Sequence, residues 1–133
     1  MFGSFDISSS ALTAQRTRLD TIVSNIANID SIKGADGSYQ PYRRTFPIFQ
    51  AQHTAGGGTG VRVAKIAEDQ SELTPKLDPG NEFADAKGYV WYPNVNLSTE
   101  YVNGLEATRA YEANVTAIET TKSMMSATMR LLA

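Results

Sequence analysis

One apolar track repeats every seven residues near the start of the chain, and a second track interleaves with it. The two tracks consist of Phe5, Leu12, Leu19, Ile22, Ile26 and Ile29. Because a repeat of this kind forms one stripe along a helix, it predicts a helix that buries the stripe against another helix. We expect this helix to begin between Ser4 and Asp6, where a side chain can accept backbone N–H groups, and to end near Asn28.

A second apolar stripe occupies the last quarter of the chain. Its members are separated by three or four residues or by sums of such steps, and they are Leu97, Tyr101, Tyr111, Val115, Ile118, Met125, Met129 and Leu132. Asn96 is a good N-cap, so the pattern predicts a helix from Leu97 to about Leu131, with Gly104 as its one weak position. Such a helix is roughly 50 Å long. The two stripes predict that the terminal helices pair with each other and with further copies or relatives in an assembly.

The middle of the chain has the pattern of a loop followed by short strands. Residues 30–45 are dense in turn-forming residues and predict an extended loop. Apolar and aromatic alternation predicts strands at 45–49, 61–66 and 88–92. Between the last two, Pro75, Pro79 and Gly80 break the pattern, so no strand is predicted there. About 65 residues without disulfides are marginal for an independent fold, so we expect this part to lean on the helices or on neighbouring subunits.

These elements predict an α+β fold. Long N- and C-terminal helices would pair as a coiled-coil-like axial bundle, with a small β-rich segment between them in the chain. We expect three parts: an N-terminal axial helix over residues 1–29, an extended loop and small β-rich domain over 30–95, and a C-terminal axial helix over 96–133.

Composition and charge exclude several classes of function. The net charge of −2 in 133 residues argues against nucleic-acid binding, and the most basic cluster is only Tyr42, Arg43 and Arg44. The sequence has no run of eighteen apolar residues, so we expect no membrane insertion. Its start lacks the basic and apolar regions of a secretory signal, so we expect any export to use another route. With no cysteine, disulfides and thiol chemistry are excluded.

The candidates for catalysis or metal binding are weak, and we expect no enzyme activity, cofactor, metal or small-molecule substrate. His53 is the only histidine, and no sequence pattern gives it catalytic or ligating partners. Residues 56–60 are glycine-rich but lack the lysine and following helix of a phosphate-binding loop. The acidic stretch 78–85 lacks the ligand order of a calcium loop and is typical of turns. For the aromatic residues of 89–92, core packing on one strand face and a protein interface on the other remain equally open.

Four stretches of the sequence resemble the flagellar rod and hook axial protein family, and within it the subunits of the proximal rod. The stretches are residues 10–16 with 24–28, 41–44, 78–96, and 107–115 with 122–125. The motif residues that the resemblance singles out are Ser24, Asn25, Ile26, Ala27, Asn28, Arg109, Tyr111, Glu112 and Asn114. Together the stretches cover nearly the whole chain in the family's order.

The resemblance implies a structural subunit of the bacterial flagellar basal body. Such proteins are exported by the flagellar type III apparatus without a cleaved signal peptide and assemble as a rod in the periplasm. Their terminal helices pair around the export channel, and the partners expected are copies of the chain, other rod proteins, the membrane ring and the export apparatus. The apolar stripe residues would then be the axial packing and subunit interface.

Two alternatives remain open at this point. The chain could be another rod or hook subunit, although hook-type relatives carry larger middle domains. It could instead be a soluble coiled-coil adaptor or regulator that binds one partner by helix addition. For the rod subunit, exposed stripes in a free monomer would invite premature association. We therefore expect the terminal helices to order largely on docking.

Overall fold

The computed structural model describes residues 2–133, which form two long helices and two β-hairpins. In chain order the elements are α1 (Phe2–Ala27), β1 (Thr45–His53), β2 (Thr59–Glu68), β3 (Thr74–Leu77), β4 (Tyr89–Tyr92) and α2 (Leu97–Leu132). The predicted α+β architecture, with long terminal helices and a small antiparallel middle, is confirmed. The division into three domains stays a prediction.

The ends of the two helices follow from their local hydrogen bonds. Asn96 caps α2 as predicted, because its backbone is extended and its side-chain oxygen accepts the Thr99 N–H at 3.1 Å. The predicted start of α1 between Ser4 and Asp6 is wrong, since these residues already lie inside the helix. At its other end α1 leaves the helical path after Ala27, within one residue of the prediction.

The first hairpin pairs β1 with β2 and lies along α1. Its register sets Thr45 opposite Glu68 and His53 opposite Thr59, with a bulge between Ile48 and Phe49. Both strands are longer than the alternation predicted. The Val61 N–H donates to the Ser10 hydroxyl oxygen of α1 at 3.1 Å. Helix α1 therefore packs against both this hairpin and α2, so the first hairpin of the middle segment leans on α1 as expected.

The second hairpin contains a strand that the sequence pattern did not predict. Strand β3 pairs with β4 even though it includes Pro75. The Asp78 N–H donates to the Gly88 carbonyl at 2.9 Å. Because backbone N–H groups alternate in direction along a strand, those of Lys76 and Thr74 also point toward β4. Pro75 lies between those positions, so its missing N–H faces away from β4. The proline is tolerated because this edge of the strand needs no donor there.

The apolar core is small and is spread along the contacts between elements. Its buried apolar side chains are Ala14, Ile22, Ile32, Val90, Val95 and Ala107. Three polar side chains, Thr21, Asn25 and Glu100, are buried as deeply. A buried polar group is costly unless it is hydrogen-bonded. Asn25 and Glu100 bond to each other across the two helices, whereas the Thr21 hydroxyl donates to the Thr17 carbonyl of its own helix.

Candidate assembly interface

Asn25 is the centre of a buried polar network between α1, α2 and the start of β1. Its side-chain oxygen accepts hydrogen bonds from the Thr45 N–H and the Tyr42 hydroxyl, both at 2.9 Å. Its amide nitrogen donates to the Thr45 carbonyl at 2.8 Å and to Glu100 Oε2 at 3.2 Å. The side chain thus substitutes for a strand partner at Thr45 while holding the first turn of α2. Only 1% of Asn25 is exposed.

Glu100 brings a charge into this network. The residue is 0% exposed and lies in the first turn of α2, where the helix dipole favours a carboxylate. Arg44 donates its Nε–H to Glu100 Oε1, and Arg44 Nη1 is also 3.7 Å from Asp69 Oδ2. Each oxygen of Glu100 therefore has a donor, one from Arg44 and one from Asn25. A buried carboxylate requires such pairing, because an unpaired charge in this place would be strongly destabilising.

Asn94 extends the network to the end of β2. Its side-chain oxygen accepts the Arg44 N–H at 2.8 Å, and its amide donates to the Asp69 carbonyl and the Ser71 hydroxyl, each at 3.0 Å. Hydrogen bonds from the backbone N–H and then the hydroxyl of Ser71, with a smaller contribution from Arg44, hold the pKa of Asp69 below its usual value. The residues Asn25, Tyr42, Arg44, Thr45, Asn94 and Glu100 are called the polar junction below.

The polar junction connects stretches that lie far apart in the sequence. Asn25, Arg44 and Asn94 come from three of the four stretches that carry the family resemblance, and Glu100 comes from α2. Sequence reasoning named Asn25 but did not recognise the junction, and it missed Glu100. Two features of the sequence could have indicated the junction. Its polar residues fall in the stretches that carry the family resemblance, and an acidic residue lies in the first turn of α2. Because its members pair with one another, the junction is a structural joint.

The register of the two helices follows from contacts along their length. Asn25 meets Glu100, Ile22 lies beside Gly104, and Arg18 Nη2 is 3.2 Å from Glu106 Oε2. The helices are therefore antiparallel. Continuing this register residue for residue sets the start of α1 opposite about residue 123 of α2, so the last two turns of α2 project beyond α1.

The stripe residues of α1 line its packed side. Ile22 is buried, and the others are half-buried, namely Leu12, Leu19, Ile26 and, just beyond the end of the helix, Ile29. On α2 the predicted residues divide into two groups. One group is half-buried and consists of Val115, Ile118 and Met125. The other group is exposed and consists of Leu97, Tyr101, Tyr111 and Met129. Their role as a subunit interface stays a prediction.

In the first half of α2, the residues that face α1 lie about one position before the residues of the predicted stripe. Glu100 and Ala107 are buried, with Gly104 and Ala110 half-buried between and after them. Small residues allow two helices to approach closely, whereas the large side chains at neighbouring positions remain outside. These are Leu97, Tyr101, Val102 and Leu105, which we call the outer stripe of α2 and which are all exposed. An apolar surface of this kind indicates an interaction site.

The remaining family-motif residues have local contacts. In α1, the Ser24 hydroxyl is 3.4 Å from the Tyr42 hydroxyl, and the Asn28 amide donates to the Ser24 carbonyl at 2.8 Å. In α2, the Asn114 amide donates to the Ala110 carbonyl of its own helix at 2.8 Å. The motif members left exposed are Ala27, Arg109, Tyr111 and Glu112. They have no assigned role within the single chain and are available to a neighbour.

The weak chemical candidates lie in ordinary structural settings. His53 is exposed at the end of β1, and the described residues contain no group of three or more acidic, histidine or cysteine side chains that could hold a metal. Residues 56–58 lie in the turn between β1 and β2, residues 59 and 60 begin β2, and residues 78–85 form successive turns. Tyr89 and Trp91 are exposed. Within residues 2–133, neither helix combines the length and apolar character needed to cross a bilayer.

Comparison with known proteins gives family-model matches at both ends and relatives that match nearly the full length. Residues 5–34 match the family model described as flagella basal body rod protein, and residues 86–131 match that of the flagellar basal body rod FlgEFG protein C-terminal region. The chain is 49% identical over 128 residues to the flagellar basal-body rod protein FlgC of Escherichia coli O157:H7, which covers 96% of this chain and 94% of that protein. It is 42% identical to FlgC of Bacillus subtilis (strain 168), covering 93% of each chain. It is 41% identical to FlgC of Borreliella burgdorferi, covering 99% of this chain and 97% of that protein.

Proposed function

This chain belongs to the FlgC family of flagellar basal-body rod proteins, and from that membership we propose that it polymerises through its terminal helices into the proximal rod. It is a structural subunit, and its assembly with other basal-body components follows from the family. The rod would transmit torque as a drive shaft and enclose the export channel.

The outer stripe of α2 is the observation that carries this proposal. Internal packing covers one side of α2 with α1, yet Tyr101 and Leu105 remain more than half exposed on the other side. Aromatic and aliphatic side chains at spacing i and i+4 form a continuous apolar ridge on a helix. A neighbouring subunit would cover this ridge with a helix of its own, and the internal α1–α2 contact would stay unchanged.

A stiff tube requires a repeated contact between unlike surfaces. In the tube that we propose, a neighbour covers the outer stripe of α2 with a different surface of its own. Such a heterologous contact does not close on itself, and when it is repeated around an axis it generates a helical assembly. The polar junction fixes how the middle segment is held against the helix pair, so force applied to one part of the subunit would reach the other.

The expected partners and location belong to the same proposal. Neighbours would be copies of this chain and other rod proteins, with contacts to the membrane ring and the export apparatus. The rod would lie in the periplasm, and the chain would reach it through the flagellar type III export system. We expect ordering on docking above all for the end of α2, because this segment projects beyond the support of α1.

A charged substitution on the outer stripe tests the proposal. Leu105→Asp puts a carboxylate on a residue that is 61% exposed, so the free chain should fold normally. In an assembled contact the same carboxylate would be buried without a partner, which is strongly unfavourable. We expect the variant to be absent from purified basal bodies and the cells to lose motility. Gln52→Asp, with the same charge on the exposed first hairpin, is the matched control and should assemble.

The buried side of the helix pair provides a less selective version of this test. Leu19→Asp or Ile118→Asp should also block incorporation. Both residues are half-buried in the single chain, so these changes would weaken the subunit as well as the contact. Normal incorporation of Leu105→Asp would contradict the proposal that the outer stripe is covered in the rod.

A further inference from the structure

The second hairpin presents an apolar face that the chain itself does not cover. Pro75 lies directly opposite Trp91, and Leu77 lies opposite Tyr89, so the four side chains share one face of the two-stranded sheet. All four are exposed. Val90, one residue along, points to the other face and is fully buried. We call Pro75, Leu77, Tyr89 and Trp91 the aromatic face.

The edges of this hairpin are closed, so a partner must use the side chains of the aromatic face. On the outer edge of β4, the Tyr89 carbonyl accepts the Asp85 N–H at 2.9 Å, and the Trp91 carbonyl accepts the Tyr39 hydroxyl at 2.6 Å. On the outer edge of β3, Pro75 has no N–H to offer. Addition of another strand is therefore disfavoured at both edges. Tyr and Trp are rigid, large anchors for side-chain contacts in interfaces.

The C-terminal tip of α2 is a second uncovered apolar surface. Leu131 and Leu132 are 88% and 83% exposed, and Met129 is exposed as well. Successive residues turn by 100° around a helix, so these three side chains surround most of its end. A group of exposed apolar side chains of this kind indicates a surface that a partner covers. Methionine also makes favourable sulfur contacts with aromatic rings.

The two surfaces lie at opposite ends of the subunit. An ion pair between Lys76 and Asp30, at 3.1 Å, holds the second hairpin near the end of α1, and β4 leads directly into the start of α2. The tip is at the far end of α2, a continuous helix of 36 residues, about 54 Å long. A chain cannot bring its own tip to its own hairpin across this distance. A contact between them has to join two molecules.

The charges around the two surfaces are complementary. Around the hairpin, residues 72–92 contain four acidic side chains against two basic ones, namely Glu72, Asp78, Glu82 and Asp85 against Lys76 and Lys87. Residues 120–132 carry Lys122 and Arg130 and no acidic residue. We propose that the tip of α2 from one copy of this chain docks on the aromatic face of a second copy. The opposite charges would orient the approach.

This head-to-tail contact deepens the proposed rod function and rests on it. It joins unlike surfaces at the two ends of a long subunit, so it propagates and does not close into a dimer. It also differs from the side-to-side contact that the outer stripe of α2 would make. Together the two contacts would link copies both along and around an axis.

Paramagnetic NMR on the full chain tests the contact directly. The chain has no cysteine and a single tryptophan, so an introduced cysteine carries the only spin label and Trp91 gives the only indole N–H signal. One chain, without isotope enrichment, carries the substitution Ala127→Cys and a spin label on that cysteine near the tip. It is mixed at high concentration with a second, isotope-enriched chain that has no spin label. We expect the label to broaden the Trp91 indole signal. A label at Ser98→Cys, exposed at the start of α2, should leave the signal unchanged.

A second pair of variants makes the result specific to the tip. Adding Leu131→Ser and Leu132→Ser to the labelled chain should abolish the broadening, while both positions are too exposed to affect folding. The same indole broadening from both labels, or none from either, would overturn the proposed contact and leave the aromatic face to another partner. That failure is distinct from failure of the rod function, which would appear as absence of the unmodified chain from purified basal bodies.

Discussion

Asn25 joins three segments that share no sequence proximity: α1, the start of β1 and the start of α2. Its amide satisfies both the N–H and the carbonyl of Thr45 and donates to Glu100. At the scale of single residues, the orientation of the helix pair against the middle segment depends on this side chain. This residue of the family motif therefore has a defined structural task.

Asn25→Ala should destabilise the chain strongly. The change leaves two backbone groups of Thr45 and one oxygen of Glu100 without their partners, which predicts a loss of about 2 to 4 kcal/mol in the free energy of unfolding. Asn114→Ala removes only one hydrogen bond within α2 and should cost well under about 1 kcal/mol. Urea denaturation of the two variants makes the comparison. Equal losses would contradict the central place of Asn25.

Ser71→Ala should raise the pKa of Asp69. The hydroxyl is one of the groups that lower this pKa, and the backbone N–H of residue 71 remains to lower it in part. Because the folded pKa lies below the unfolded one, Asp69 stabilises the fold at neutral pH, and this contribution is lost as the pH falls through the folded pKa. NMR titration of the carboxyl carbon measures the change. Ser38→Ala, which should raise the pKa of Asp36 instead, is the matched control.

At the scale of elements, two glycines on the neighbours of α1 differ in how much space surrounds them. A Cβ at Gly104 would be 3.9 Å from Ile22 Cγ2, an ordinary contact, whereas a Cβ at Gly56 would be 2.8 Å from Gly3 Cα. The glycine in α2 therefore has room to spare. The glycine in the turn of the first hairpin does not, because backbone occupies the space.

Gly104→Ala should stabilise the chain. Alanine is favoured over glycine in a helix interior by about 1 kcal/mol, and the added methyl group fits against Ile22. We expect an increase of roughly 0.5 to 1 kcal/mol in the free energy of unfolding, measured by denaturation. A decrease would show that the helices are packed more tightly at this position than the 3.9 Å distance allows.

Gly56→Ala should move the first hairpin away from the start of α1. The added Cβ cannot be accommodated against the Gly3 backbone, which predicts a loss of about 1 to 3 kcal/mol. Amide exchange in residues 54–60 should also become faster. Gly80→Ala meets no heavy atom within 4 Å and serves as the control. If both variants behaved alike, the turn would not be docked on α1.

The elements differ in how well the sequence predicts them. Regular apolar spacing and the Asn96 cap made α2 predictable to within one residue at each end. Strand β3 was not predicted because a proline argues against a strand. Only the structure shows that the missing N–H of Pro75 faces away from β4, where no hydrogen bond is lost. The polar junction could not be read from the sequence, because its members become neighbours only when α1, β1 and α2 fold together.

At the scale of the whole molecule, the subunit is long, thinly packed and unevenly covered. Its core is small, and apolar surface remains on the outer stripe of α2, on the tip of α2 and on the aromatic face. A free monomer rarely leaves so much apolar surface exposed. Membership in a rod-protein family gives these surfaces a common explanation, since each would be covered by a neighbour.

Amide hydrogen exchange on the isolated chain and on the same chain in purified basal bodies tests this account most directly. Residues 97–111 carry the outer stripe, and residues 124–132 carry the tip. We expect residues 124–132, which project beyond α1, to exchange rapidly in the isolated chain and to be strongly protected in basal bodies. Residues 97–111, held at the polar junction, should be partly protected in the isolated chain and gain further protection in basal bodies. Equal exchange of these segments in the two states would contradict it, as would absence of the chain from basal bodies.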